Sequence, residues 1–332
     1  MEKSSRTGSD LVRVAAIWVM ALLVVLVAGA MAIAVTNARV FGPSPAVDDY
    51  VQTLVAGDGA TALGHLGLEA PDGNGLMLSG DPLRASAAAL GEYTIEETSR
   101  EDDRATVRVS YNVGGRQHHT DFRLMRTGRD WLFFDQWQID MGKLPVLTVH
   151  AANTTDILVN GTESPVASGE QKFPVLPPAV VTASFEEEYF RAGETTRIVG
   201  GSDDTDEPLR LVSEPTETLT KEVAGKLREY LDGCAEQQVL MPTGCPLAYD
   251  TGARVDPATI DWEIIEYPDV EITAFDGGWV LRPLEVEVNL ELVEQDLATG
   301  VTTEVDVDET YTFTANLDLS SSKVSVTPVV VE

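Results

Sequence analysis

Apolar residues fill one long stretch near the N-terminus, from Val14 to Val35, without a charged residue or a proline. As a helix this stretch would rise about 33 Å, against a hydrocarbon core of about 30 Å. A helix satisfies its own backbone hydrogen bonds in lipid, where no water can do so. The pattern therefore predicts a transmembrane helix over residues 14–38, with the lipid bilayer as its partner.

Basic residues flank this helix unevenly. Lys3, Arg6 and Arg13 precede it, whereas Arg39 follows it and acidic residues come next. Because positive charge stays on the cytoplasmic side, residues 1–13 are predicted to form a cytoplasmic tip. We therefore expect the bulk of the chain to be extracytoplasmic and the protein to be a single-pass protein of the cell membrane. A cleaved signal peptide is the alternative, although the apolar region of such a peptide is shorter, about 7–15 residues.

Helical spacing of apolar residues marks the start of the segment 44–142. One stripe predicts a first helix that ends at Gly57, and a second short helix follows from Ala60 to Leu66. A stretch rich in Gly, Pro and Asp then leads to Pro82. The stripe of the first helix comprises Val47, Tyr50, Val51, Leu54 and Val55.

Alternation of apolar and polar residues predicts three or four strands in the rest of this segment. The clearest runs from Ala105 to Val113, and Gly114-Gly115 is a two-residue hairpin turn. A second turn is predicted at Thr127-Gly128, and the segment DWLFFDQWQID is predicted to form the last strand.

Helices followed by a curved antiparallel sheet over residues 44–142 resemble the nuclear-transport-factor-2-like (cystatin-like, cone-shaped) domains of bacterial membrane proteins. The resemblance rests on AVDDYVQTLVAGDGATAL at the front and on the closing DWLFFDQWQI. It implies a helix packed on a curved sheet. Such domains bind small molecules, catalyse reactions or pair with each other, so this resemblance leaves the function open.

Short apolar runs separated by turn residues occupy residues 143–200. Asn160-Gly161 predicts a hairpin, and Pro177-Pro178 interrupts the next strand. The stretch from "VNG" to "FPVLPP" resembles the small β-sandwich spacer modules of bacterial surface proteins. A unit of about 55 residues has little core of its own, so we expect it to lean on its neighbours.

The last segment, 201–332, begins with an acidic linker and is predicted to contain one helix and several long strands. The helix starts near Thr216, ends at Gly233, and has the apolar stripe Leu219, Val223, Leu227 and Leu231. The fold class is therefore one transmembrane helix plus a mostly-β, α+β outer part. We expect two domains in which a helix packs on a curved antiparallel sheet, with the β spacer between them.

Acidic residues dominate the charge of the chain. Lys and Arg number 23 against 54 Asp and Glu, a net charge of −31. A field of this sign repels a phosphate backbone, so nucleic acid is excluded as a partner. It suits a well-solvated outer surface or a basic partner.

Two cysteines, Cys234 and Cys245, lie in the predicted outer part. Disulfides persist outside the cytoplasm, and this pair brackets a loop that follows the helix. A metal site would need further Cys or His nearby, and a redox pair would have the Cys-x-x-Cys spacing. We therefore predict a structural disulfide.

The candidates for a ligand pocket are His118, Asp135 and Trp137. His118 and His119 are neighbours in a strand, so their side chains point to opposite faces and cannot ligate one metal together. His118 is the pocket candidate, or it lies at a sheet edge without a ligand. Asp135 is in phase with Phe133 and Trp137 on an apolar face; if buried it could act as a general base, whereas a bulge would turn it outward.

No phosphate loop, nucleophile elbow or dinucleotide fingerprint occurs, so no catalytic residue, cofactor or metal is predicted. The whole chain resembles single-span envelope proteins of actinobacteria, including the teicoplanin-resistance-associated type, in organisation but without their zinc-ribbon cysteines. We expect a non-catalytic extracytoplasmic binding or envelope-assembly protein, with another envelope protein or a wall component as partner. The alternatives are a small-ligand-binding or catalytic cone domain at 44–142, and a spacer that presents the distal domain to the wall.

Overall fold

The computed structural model describes residues 6–71, 73–131, 134–275, 278–320 and 323–329. The first element is helix α1, Arg6–Arg39. Its apolar part, Val12–Asn37, has a mean hydropathy of 2.7, and no residue of its most apolar window is buried. This helix is long and apolar enough to span a membrane.

The chain divides into two compact units. The first consists of Met1–Phe185 and Ala192–Val212, and the second consists of Glu186–Arg191 and Ser213–Glu332. Apart from α1, both units consist mostly of strands.

Three short helices follow α1 in the first unit: α2, Pro43–Ala56; α3, Gly59–Leu66; and α4, Gly80–Ala88. The predicted stripe of α2 is buried, except for Val55, which is exposed. Gly57 ends α2 in the left-handed conformation, with a φ of 72° that favours glycine. Asp58 then caps α3, because its side chain accepts a hydrogen bond from the Thr61 amide at 3.1 Å. Helix α4 lies partly in the Gly- and Pro-rich stretch, where no helix was predicted.

Four antiparallel strands form a curled, half-barrel sheet in the order β1-β2-β3-β4. Their bounds are β1, Tyr93–Glu101; β2, Arg104–Val113; β3, Arg116–Asp130; and β4, Phe134–Ile139. The predicted alternation of β2 is confirmed, since Ala105, Val107, Val109 and Tyr111 are buried. The hairpin at Gly114-Gly115 is also confirmed, with a φ of 59° and 78° at the two glycines.

The predicted turn at Thr127-Gly128 is wrong. Strand β3 continues to Asp130, and the pairing with β4 shifts register between Arg126 and Gly128, which is a bulge. The hairpin turn comes later and begins at Trp131, whose φ is 50°. An extra residue in one strand is accommodated without ending it, so a Thr-Gly pair need not be a turn.

The core of this part lies between α2 and the sheet. The rings of Tyr50 and Phe122 meet edge to face with their centroids 5.5 Å apart, and both side chains are buried. The Tyr50 hydroxyl donates a hydrogen bond of 2.6 Å to the carbonyl of Pro177, and burial raises the pKa of that hydroxyl. Neighbouring apolar residues complete the filling: Val47, Val51, Leu54, Val107, Val109 and Leu124.

The rest of the first unit consists of two small sheets. Their strands are β5, Val146–Ala151; β6, Asp156–Val159; β7, Thr162–Pro165; β8, Glu170–Pro174; β9, Ala179–Glu186; β10, Phe190–Val199; and β11, Leu209–Leu211. One sheet has the order β10-β9-β6-β7 and the other β11-β5-β8, in which β11 runs parallel to β5. The Asn160-Gly161 hairpin between β6 and β7 is confirmed.

These small sheets are joined to the helices by side-chain hydrogen bonds. The Ser86 hydroxyl on α4 accepts from the Val180 amide at 2.9 Å. The Asn160 side-chain amide donates to the Pro82 carbonyl at 3.1 Å. Each bond satisfies a polar group at the packed boundary, so the segment after residue 143 and the helices before it form one body.

In the second unit, helix α5, Glu217–Ala235, follows the short strand β12, Glu214–Pro215. Its predicted stripe is confirmed, because Leu219, Val223, Leu227 and Leu231 are at most 2% exposed. The later strands are β13, Arg254–Val255; β14, Asp261–Glu266; β15, Ile272–Phe275; β16, Gly278–Leu281; β17, Leu284–Gln295; β18, Thr302–Ser320; and β19, Lys323–Val329. The main sheet has the order β13-β17-β18-β19, β14 also pairs with β17, and β15 and β16 form a separate hairpin.

Cys234 and Cys245 form a disulfide, as predicted. The bridge joins the last turn of α5 to the loop that leads to the sheet, across a sequence separation of 11 residues. In the chain-entropy treatment a closed loop of this size stabilises a fold by about 2–3 kcal/mol. The bond therefore holds the end of the helix to the unit it belongs to.

Candidate functional site

His118 lies on β3 directly opposite Tyr111 on β2. The two rings are stacked, with centroids 6.1 Å apart and planes inclined by 19°. They line a cleft of about 380 Å³ together with Thr196, Arg197 and Asp204. The imidazole thus stands beside an aromatic ring at the opening of a cleft.

Tyr111 forms the buried wall of this cleft. Its hydroxyl lies 3.2 Å from the hydroxyl of Thr120, and both side chains are almost fully buried. Burial raises the pKa of Tyr111; the Thr120 hydrogen bond lowers it by less, and the Asp204 carboxylate raises it further. The phenol is therefore neutral at physiological pH and serves the cleft as a hydrogen-bonding group rather than as a base.

Asp204 lies in the acidic segment that begins residues 201–332. The sequence predicts that this segment is a solvated linker. Its Oδ2 accepts hydrogen bonds from the amides of Gly200 and Gly201, at 2.8 Å and 3.1 Å. Gly200 lies so close to β3 that a Cβ there would be 2.7 Å from the Thr120 hydroxyl oxygen. This stretch is therefore a fixed turn that closes one side of the cleft.

A second cleft, of about 410 Å³, shares Gly200 and Asp204 with the first. Its charged lining is mixed, with Asp121, Arg123 and Lys143 among the residues that face it. Four carboxylates, those of Asp121, Asp140, Asp203 and Asp204, line this space against two basic side chains, so acidic groups are in excess. The arrangement offers polar contacts but no paired general acid and base.

Asp135 and Trp137 line a third cleft, of about 390 Å³. The Asp135 Oδ1 accepts a hydrogen bond from Arg129 Nε at 2.9 Å, and Arg126 Nη1 lies 3.3 Å from the same oxygen. The carboxylate is 16% exposed and is engaged in ion pairs with both arginines. Phe133, which was expected to share a face with Asp135, lies outside the described residues.

Trp137 makes a different contact on the same strand. The guanidinium carbon of Arg100 lies 5.5 Å from the centre of its ring, within the range of a cation–π interaction. The indole is partly buried against the core. Its position is explained by these contacts without a ligand.

The three candidates do not form one site. Asp135 and Trp137 share a cleft, whereas His118 lines another. The sequence alone did not indicate Tyr111 and Arg197 at the first cleft, or Arg126 and Arg129 beside Asp135. The Tyr111–His118 pairing was within reach, since it follows from the register of the Gly114-Gly115 hairpin.

Within residues 6–71, 73–131, 134–275, 278–320 and 323–329, no group of three or more His, Cys, Asp or Glu side chains is placed to hold a metal ion.

Carboxylates line up across the outer face of the second unit's sheet. Asp261 on β14, Glu291 on β17 and Asp306 on β18 occupy directly paired positions, and all three are exposed. Asn289 stands beside them, and its amide donates to Asp306 at 2.7 Å and to Asp308 at 2.9 Å. Neighbouring like charges destabilise a sheet, so these donors offset part of the repulsion.

Comparisons with protein-family models, with curated proteins and with solved structures found no match to this chain.

Proposed function

We propose that this chain is a single-span envelope protein whose mostly-β part is held outside the cytoplasm as a non-catalytic binding or assembly module. Helix α1 supplies the anchor. The disulfide between Cys234 and Cys245 suits an oxidising compartment, which agrees with an extracytoplasmic position for the folded part. The uneven placement of Lys and Arg around α1 supports a cytoplasmic N-terminus.

The non-catalytic assignment rests on the space between α2 and the first sheet, which is filled by side chains of the protein. A ligand-binding cone domain would keep an open pocket there, whereas Tyr50 and Phe122 occupy this space with their own rings. The Tyr50 hydroxyl donates its hydrogen bond to the Pro177 carbonyl. Function is therefore assigned to the surface of the outer part rather than to its interior.

The alternative is a small ligand held in the cleft beside His118. It is favoured by the stacked imidazole and by Arg197 and Asp204 at the same opening. Asp135 plays no part in this alternative, because its carboxylate is paired with Arg126 and Arg129. In the third alternative, the chain is a spacer that presents the second unit to the wall. The contacts with the wall are then made by the second unit.

Photo-cross-linking in living cells tests the proposal. A photoreactive residue is placed on the membrane-embedded full chain at an exposed sheet position, Thr312, and in parallel at the exposed Glu96 of the first unit. We expect discrete adducts of constant mass from at least one position. Adducts from Thr312 alone would favour the spacer reading.

His118→Ala is combined with each of these labels, and Asp203→Asn serves as the control for an exposed change near the same cleft. A surface-binding module should give the same adduct yield with either change. Loss of adducts with His118→Ala, at unchanged protein abundance, would contradict the proposal and move function to the cleft.

A further inference from the structure

The turn between β3 and β4 exposes a large aromatic side chain. Trp131 is 87% exposed, although tryptophan is among the most buried residue types on average. Its φ of 50° is positive, so the backbone turns sharply at this residue. In the sequence Trp131 opens the run WLFF, whose two middle residues lie outside the described part of the chain.

The C-terminal end of helix α1 meets the same hairpin next to its turn. Asn37, the last residue of the apolar part of α1, accepts a hydrogen bond at its Oδ1 from the Asp135 amide at 3.2 Å. Phe41 packs its ring on that of Phe134, with centroids 4.6 Å apart. The end of the anchor is therefore held against the first residues of β4.

The chain geometry keeps Trp131 close to this contact. Three peptide units separate its Cα from that of Phe134, and a chain of that length spans at most about 11 Å. The headgroup region on each side of a bilayer is on the order of 5–8 Å deep. Strand β4 runs from Phe134 toward the core at Ile139, so the hairpin tip lies at the end of the strand that meets the anchor.

We infer that the Trp131 turn is a second membrane contact, which inserts its indole into the headgroup region of the bilayer that α1 spans. This inference rests on the proposed anchoring by α1. An indole favours the interface, where its ring meets apolar chains and its N–H stays hydrated. Val40, 58% exposed just past the anchor, extends the same apolar surface. The side chain of Arg129, whose Nε pairs with Asp135, is 54% exposed next to the turn.

Fluorine NMR of the full chain in lipid nanodiscs tests this contact. All tryptophans are replaced by a fluorinated tryptophan, and the Trp131 signal is assigned by its absence in Trp131→Phe. One sample contains lipids with a nitroxide near the carbonyl end of the acyl chain, and another contains a water-soluble paramagnetic chelate. Trp18, within the apolar part of α1, is the internal control for anchoring.

We expect the lipid nitroxide to abolish the signals of both Trp18 and Trp131, and the soluble chelate to leave them sharp. If Trp18 is lost but Trp131 persists and is broadened by the chelate, the turn faces water and the inference is overturned while the anchor stands. If Trp131 is untouched by both agents, another protein copy covers it, which also overturns the inference. If Trp18 itself escapes the lipid label, the anchoring of α1 fails.

Discussion

At the scale of single residues, the pair Arg108–Asp121 ties β2 to β3. The Nε and Nη2 atoms of Arg108 donate to the two oxygens of Asp121, each at 2.7 Å. These hydrogen bonds, more than any other contact, hold the pKa of Asp121 below its usual value. The ionised form is thus favoured in the folded chain, and both side chains are 40% exposed, so solvent screens part of the effect.

Asp121→Asn should lower the free energy of unfolding at neutral pH by less than about 1 kcal/mol, as for other exposed ion pairs. The folded pKa is lowered, so the contribution is fully present above the unfolded value of about 3.9 and is lost as the pH falls through the folded value. The difference between variant and wild type should therefore shrink on acidification. Thermal unfolding of the detergent-solubilised chain, followed from neutral to below about pH 3, measures it.

The control is Asp203→Asn, which removes one charge from an exposed turn of the same unit without touching a strand. It should be close to neutral at every pH. A difference for Asp121→Asn that grows on acidification would contradict the pairing.

At the scale of secondary structure, strands β14, β17 and β18 carry an excess of acid on one face. Glu291 is flanked by Asp261 and Asp306 at paired positions, whereas Glu285 on the same strand faces Thr312. Like charges directly opposite each other in a sheet cost roughly 0.2–1 kcal/mol per pair. These paired carboxylates therefore lower the stability of the sheet.

Glu291→Lys should raise the melting temperature of the second unit, because two repulsive contacts become attractive. The gain is expected at roughly 0.2–1 kcal/mol per pair and should diminish at high salt. Differential scanning calorimetry of the full chain measures it. Glu285→Lys makes the same charge change where no acid is opposite and should have a smaller effect; an equal gain from both would contradict the paired-strand explanation.

Periodic elements could be predicted from the sequence. The stripe of α5 and the alternation of β2 are predicted correctly, because burial on one face selects apolar residues at the period of the element. Helix α4 was missed, since its sequence GDPLRASAA is short and only weakly apolar. The β3–β4 turn was missed because an apolar run normally indicates a buried strand, whereas here it begins with an exposed Trp131.

The candidate site was harder to predict for a related reason. The partners of Asp135 depend on the register of β3 and β4, which shifts at a bulge that no local pattern marks. An ion pair across strands is therefore invisible until that register is known. The disulfide was accessible, because the chain contains two cysteines and the elements around them set the distance.

At the scale of the whole molecule, the chain consists of two compact units of mostly β structure, and the first unit begins with the hydrophobic helix α1. The end of the helix is packed against the first unit through Phe41 and Asn37. If α1 spans the membrane in the proposed orientation, the parts of the two units that follow α1 lie outside the cytoplasm. The side of the membrane on which these parts lie therefore depends on the orientation of α1.

Insertion of a recognition site for a sequence-specific protease tests that orientation most directly. The loop between β17 and β18 suits it, since Leu297 is 74% exposed and exposed loop tips tolerate insertions. The protease is added to intact, wall-stripped cells that make the full chain, with an epitope at each end. We expect cleavage without permeabilisation, with the N-terminal epitope still inside. Cleavage only after permeabilisation would contradict the orientation, and loss of the N-terminal epitope with a mature N-terminus near Thr36 would contradict the anchor.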